Sequence, residues 1–79
     1  MELYEFNLLE LNRRAEYLWA AGAFIINIKQ KSYSYNLYSL NGYFVEVKLS
    51  KENKIIAITP FRQGGLLNKY LDYIDVTKL

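Results

Sequence analysis

The stretch Tyr35-Asn36-Leu37-Tyr38-Ser39-Leu40-Asn41-Gly42-Tyr43-Phe44-Val45-Glu46-Val47-Lys48-Leu49-Ser50-Lys51-Glu52-Asn53-Lys54-Ile55-Ile56-Ala57-Ile58-Thr59-Pro60 decides the fold. Its β-branched and aromatic residues alternate with polar ones, which is strand texture. Asn41-Gly42 is the dipeptide favoured by a type I′ hairpin, because both central residues need positive φ. Ser50-Lys51-Glu52-Asn53 suits a four-residue loop, with Asn53 tolerating the left-handed conformation. A two-residue loop pairs Leu40 with Tyr43, Tyr38 with Val45 and Asn36 with Val47, and cross-strand partners share a face. A four-residue loop pairs Val47 with Ile56 and Val45 with Ile58. Counted independently, both hairpins send Leu40, Tyr38, Val45, Val47, Ile56 and Ile58 to one side.

Outward from this stretch, residues 23–30 have the same texture, so four strands are expected at 23–30, 33–40, 43–49 and 54–60. Phe24, Ile26 and Ile28 join the inner side if the 31–33 turn holds an odd number of residues. Ile25, Asn27, Lys29, Tyr35, Leu37, Phe44, Glu46, Lys48 and Ile55 then face the other way. Pro60 has no N–H to donate and should end the last strand. Before the strands, Tyr4, Leu8, Leu11, Ala15 and Leu18 recur at spacings of four, three, four and three, an apolar helical stripe that Trp19 widens. Gly22 stands where a helix-terminating glycine with positive φ would. Whether residues 1–10 belong to that helix stays open. After Gln63-Gly64-Gly65, the positions Leu67, Tyr70, Leu71 and Ile74 predict a second, short helix. The expected fold is a single α+β domain over 1–79: a two-layer sandwich with a four-stranded antiparallel meander and both helices on one face.

Composition narrows the function classes. The chain is 79 residues long, 52% hydrophobic and 23% charged, enough for one small core and too short for a cleft between domains. It has no Cys and no His, so disulfides, zinc fingers, thiol nucleophiles and imidazole bases are all excluded. The serines Ser32, Ser34, Ser39 and Ser50 have no base in a known spacing, and turn or solvent-face positions explain them. Glu46, Glu52, Asp72 and Asp75 form no paired-carboxylate or calcium pattern. Gly64-Gly65 is a helix start and no phosphate loop. A non-enzymatic domain without cofactor or metal is expected.

The net charge of +2 is small, but residues 24–62 carry a surplus of four positive charges while residues 1–23 are acidic. The longest apolar run is Ala23-Phe24-Ile25-Ile26, far short of the ~20 residues that span a bilayer. With an acidic start in place of a basic signal region, a cytoplasmic protein without membrane contact is expected.

Arg14-Ala15-Glu16-Tyr17-Leu18-Trp19 with Gly22, Asn36-Leu37-Tyr38-Ser39-Leu40, Phe44-Val45-Glu46-Val47, Asn53-Lys54-Ile55 and Tyr70-Leu71 with Ile74-Asp75 resemble a group of small uncharacterised bacterial proteins. The resemblance implies a bacterial, single-domain, cytoplasmic protein and lends no functional residues.

If nothing packs over the second face of the sheet, Ile25, Tyr35, Leu37, Phe44 and Ile55 form an apolar patch of the kind that marks an interaction site. Glu46 and Lys48 would set its register. A protein partner, or a second copy of the chain in a homodimer, is the expected occupant. The alternative is single-stranded nucleic acid on the same aromatic and Lys-fringed face. A covering by the chain's own ends would close the patch.

Overall fold

A computed structural model describes residues 1–62, 65–68, 70 and 71. Among the described residues seven elements follow one another: α1 (Leu3–Asn7), α2 (Leu11–Ala21), β1 (Ala23–Lys29), β2 (Ser34–Leu40), β3 (Tyr43–Leu49), β4 (Ile55–Phe61) and α3 (Gly65–Asn68). The strands form one antiparallel sheet in the order β1-β2-β3-β4, so the α+β class and the meander are as expected. No described helix is long and apolar enough to cross a membrane.

The central hairpin has the expected register, Leu40 opposite Tyr43, Tyr38 opposite Val45 and Asn36 opposite Val47. Its turn takes φ of 50° at Asn41 and 84° at Gly42, and Asn53 is left-handed at 63°. The two flanking hairpins differ. In β3–β4, Val47 faces Ile58 and Val45 faces Pro60, and a register shift at Lys48/Leu49 sets Leu49 opposite Ile55. The extra residue turns Ile55 inward beneath the helices and leaves Ile56 44% exposed, because a bulge reverses the side to which later residues point. In β1–β2 the loop holds four residues, since Lys29 pairs with Ser34. Ile26 and Ile28 therefore share the side of Leu37 and Tyr35, while Asn27 and Lys29 lie on the helix side. A second irregularity at Ile25 returns Phe24 to the side of Tyr38.

The amino-terminal stripe breaks in two at Leu8–Glu10. Tyr4 and Leu8 become strongly exposed, and Phe6 takes their place in the core. Gly22 has a φ of −82°, so no left-handed turn ends α2. Glycine is needed there for space, since a Cβ would sit 2.7 Å from Leu18 Cδ1 and 2.9 Å from the Leu18 carbonyl oxygen.

One guanidinium ties this joint to the sheet. Arg14 Nε donates to the Leu9 carbonyl at 2.9 Å, Nη2 to the Asn7 carbonyl at 2.6 Å, and Nη1 to the Ile58 carbonyl at 2.6 Å. The Asn7 carbonyl is orphaned by the end of α1, the Leu9 carbonyl lies in the joint that follows, and the third lies on the outer edge of β4. Pro60, two residues further along, turns its nitrogen the same way, which is why proline is tolerated inside this edge strand. The Arg14 guanidinium also stands 5.9 Å from the Phe6 ring centre.

Two apolar clusters line the two faces. Under α1 and α2, Phe6, Leu18, Leu40, Tyr43, Val45, Val47 and Ile58 pack together. On the opposite face, Ile28, Leu37, Phe61 and Tyr70 do so, with Leu67 against them. The C-terminal segment thus covers the second face, where a position beside the first helix was expected. Of its predicted stripe, Ile74 lies outside the described residues.

Candidate functional site

The expected docking face is closed at its centre. Leu37 is 0% exposed and Glu46 6%, both beneath the segment that carries Tyr70. Ile25, Tyr35 and Phe44 are half-buried against the same cluster, and Phe44 meets Phe61 at 5.7 Å between ring centres. Ile55 belongs to the other cluster. Lys48 alone among the seven expected residues points to the periphery, its Nζ 4.1 Å from the centre of the Tyr33 ring. Of the readings the sequence left for this apolar face, the covering by the chain's own end is the one found, with Tyr70 and Leu67 packed on it.

Glu46 gains a structural role. The Tyr70 hydroxyl donates to Glu46 Oε1 at 2.7 Å, so the one buried carboxylate among the described residues is met by the segment that buries it. Burial first, and then this hydrogen bond and the charge on Glu46, hold the Tyr70 hydroxyl far above its ordinary value of 10.0. Burial likewise raises Tyr38 and Tyr43. Tyr17, half-buried against the helix-side cluster, is lowered, by hydrogen bonding from the terminal ammonium and then from Asn41. Raised groups stabilise the fold while they stay neutral, so their contribution is full below the ordinary tyrosine value and falls as pH climbs above it. The urea midpoint should drop from about pH 9 to about pH 11 as unfolded tyrosines begin to ionise near pH 10. Tyr70→Phe should flatten that decline; an equally steep decline in the variant would mean that Tyr70 is not its source.

Exposed apolar surface gathers elsewhere, where α2 hands over to β1. Trp19 and Phe24 flank Gly22 on either side, and both rings stand 5.6 Å from the Tyr38 ring centre. Trp19 is 52% exposed and Phe24 57%. The helices lean the other way, since α1 and α2 pack against β4, and Phe24, Asn27 and Lys29 on the helix-side surface of β1 are exposed. Further along it, Asn27 Nδ2 donates to Asn36 Oδ1 at 2.6 Å, a cross-strand pair at the surface. Helical spacing sets Trp19 beside the stripe and does not by itself separate it from the core. The five-residue separation of Trp19 and Phe24 across one glycine was the available hint.

The two sheet edges are unlike. On β4, Arg14 occupies the outward carbonyl of Ile58 and α1 packs alongside. On β1, no strand among the described residues pairs with the outer edge. No family model, curated protein or solved structure matches the chain.

Proposed function

We propose that this domain acts by protein–protein contact without catalysis, through the outer edge of β1 and the Trp19–Tyr38–Phe24 cluster beside it, with a second copy of the chain as partner. The carrying observation is the asymmetry of the edges: one is plugged by an arginine, and the other has no strand paired to it among the described residues and is flanked by two half-exposed aromatic rings. Open strand edges are normally guarded because they pair with other strands. Aromatic side chains are what interface centres favour.

Area supports strand pairing over contact by rings alone. Two half-exposed aromatic residues offer roughly 200 Å², against about 800 Å² per partner in a stable interface. Contact must therefore continue along β1, where a row of backbone N–H and C=O groups asks for an extended chain. The β1 of a second copy has the same need, and a two-fold axis satisfies both edges at once. The irregularity at Ile25 confines regular pairing to the residues after it, so the rings supply the remainder.

Static light scattering over a micromolar to millimolar series tests this. The mass is expected to rise toward twice that of one chain, and Trp19→Ala combined with Phe24→Ser should hold it at a single chain with an unchanged circular dichroism spectrum. A single-chain mass throughout, or a double variant that associates like the parent, would overturn the proposal.

A further inference from the structure

The sheet end opposite the Asn41-Gly42 turn is formed by the 30–33 turn and the 50–54 loop. Five of the chain's seven lysines stand there: Lys29, Lys31, Lys48, Lys51 and Lys54. Glu52 is the only carboxylate in those two loops. Between the loops lies an open cavity of about 240 Å³, lined by Lys29 and Lys51 and by the polar side chains of Ser32, Ser34, Ser50 and Asn53. Tyr33 borders the same cavity, 40% exposed. The two ion pairs among the described residues, Arg13–Glu16 and Arg62–Glu2, involve no lysine.

Guarding a sheet edge explains lysines on or beside β1. It does not explain Lys48, which sits on the central strand β3 and holds its ammonium 4.1 Å from the Tyr33 ring centre, so that cation and ring stand together at this end. Like charges gathered at one place repel, and an anion between them removes that cost. Ammonium groups beside hydroxyl and amide donors match phosphate oxygens. The footprint also exceeds the cavity, because Lys31, Lys48 and Lys54 do not line it. A single phosphate cannot reach them all, whereas a chain of phosphates can. Lys48 stands over one face of the partly exposed Tyr33 ring, which leaves the other face for stacking, and stacking requires an unpaired base.

We infer that this loop end binds single-stranded nucleic acid, the lysines meeting backbone phosphates and Tyr33 stacking on a base. This surface is separate from the β1 edge and does not depend on self-association.

Fluorescence anisotropy of a labelled oligothymidylate with the full chain provides the test. With three to five phosphates neutralised at ~0.7 each, log affinity against log salt should slope at roughly −2 to −3.5. Lys29→Gln with Lys51→Gln should weaken binding about tenfold or more at low salt and reduce the slope by about 1.4. Tyr33→Ala should weaken binding roughly fivefold to a hundredfold while leaving the slope unchanged. The inference fails if no anisotropy change appears at low salt, or if both variants, still folded by circular dichroism, bind like the parent. It fails equally if a duplex competes as well as the strand, or if pyrophosphate displaces the strand at matching phosphate concentration, which would mark a site for a small phosphorylated compound.

Discussion

Leu37→Asp should abolish the fold. Leu37 is fully buried among Ile28, Phe61 and Tyr70, and an aspartate there has no described cation within its cluster. Losing the leucine packing costs about 2–5 kcal/mol, and several more follow from burying an unpaired carboxylate or forcing it to protonate. A 79-residue domain has about 4–12 kcal/mol of total stability at ordinary values per residue. The penalty therefore reaches or exceeds what is available. Val45→Asp should do the same from the opposite face, since Val45 is equally buried under the helices. Circular dichroism and amide dispersion in NMR read the outcome, with Phe24→Asp as the exposed control that stays folded. Phe44→Asp falls between them, because Phe44 is half-buried against Phe61. A well-dispersed Leu37→Asp spectrum would mean that the segment carrying Tyr70 does not seal the sheet.

That test separates what the residues announce from what they conceal. The central hairpin was legible because its turn chemistry is local: Asn41 and Gly42 take positive φ, and a two-residue loop then leaves one register. The third hairpin was only half legible. The 50–54 loop is held by Ser50 N–H to the Lys54 carbonyl at 2.9 Å and Asn53 N–H to the Ser50 carbonyl at 2.9 Å, and an irregularity absorbs the extra length. No alternation of residue types announces such a bulge, because Ile55 and Ile56 are equally apolar and either can face inward. The side taken by Tyr70 was hidden for another reason: periodicity tells that a segment has an apolar face, but not which layer it seeks. Glu46 carried a clue, since a carboxylate inside an apolar row needs a buried donor, and a tyrosine downstream supplies it. The basic loop end was visible as charge along the chain, but only the fold brings the 30–33 and 50–54 segments to one cavity.

Arg14→Ala should be the most damaging substitution outside the two cores. The side chain is only partly buried, yet its guanidinium donates to three carbonyls from three segments, those of Asn7, Leu9 and Ile58. Hydrogen bonds from a charged donor contribute about 1.5–3 kcal/mol each in isolation. Because one side chain makes all three and water can reach some of the freed acceptors, the losses do not add. A net cost of about 3 kcal/mol is expected, at the upper end of the usual range for a single substitution. Alanine also withdraws the cation from the Phe6 ring and uncovers the β4 edge. Arg14→Lys should recover little, since an ammonium on a flexible stem cannot span carbonyls in three directions. Urea unfolding gives the size of the loss, and hydrogen exchange gives its location. Amides of residues 3–9 and 55–61 should exchange faster at denaturant levels where β2 and β3 are still protected. An alanine variant with an unchanged midpoint, or one whose extra exchange falls evenly over the whole sheet, would remove Arg14 as the clamp between the amino-terminal helices and β4.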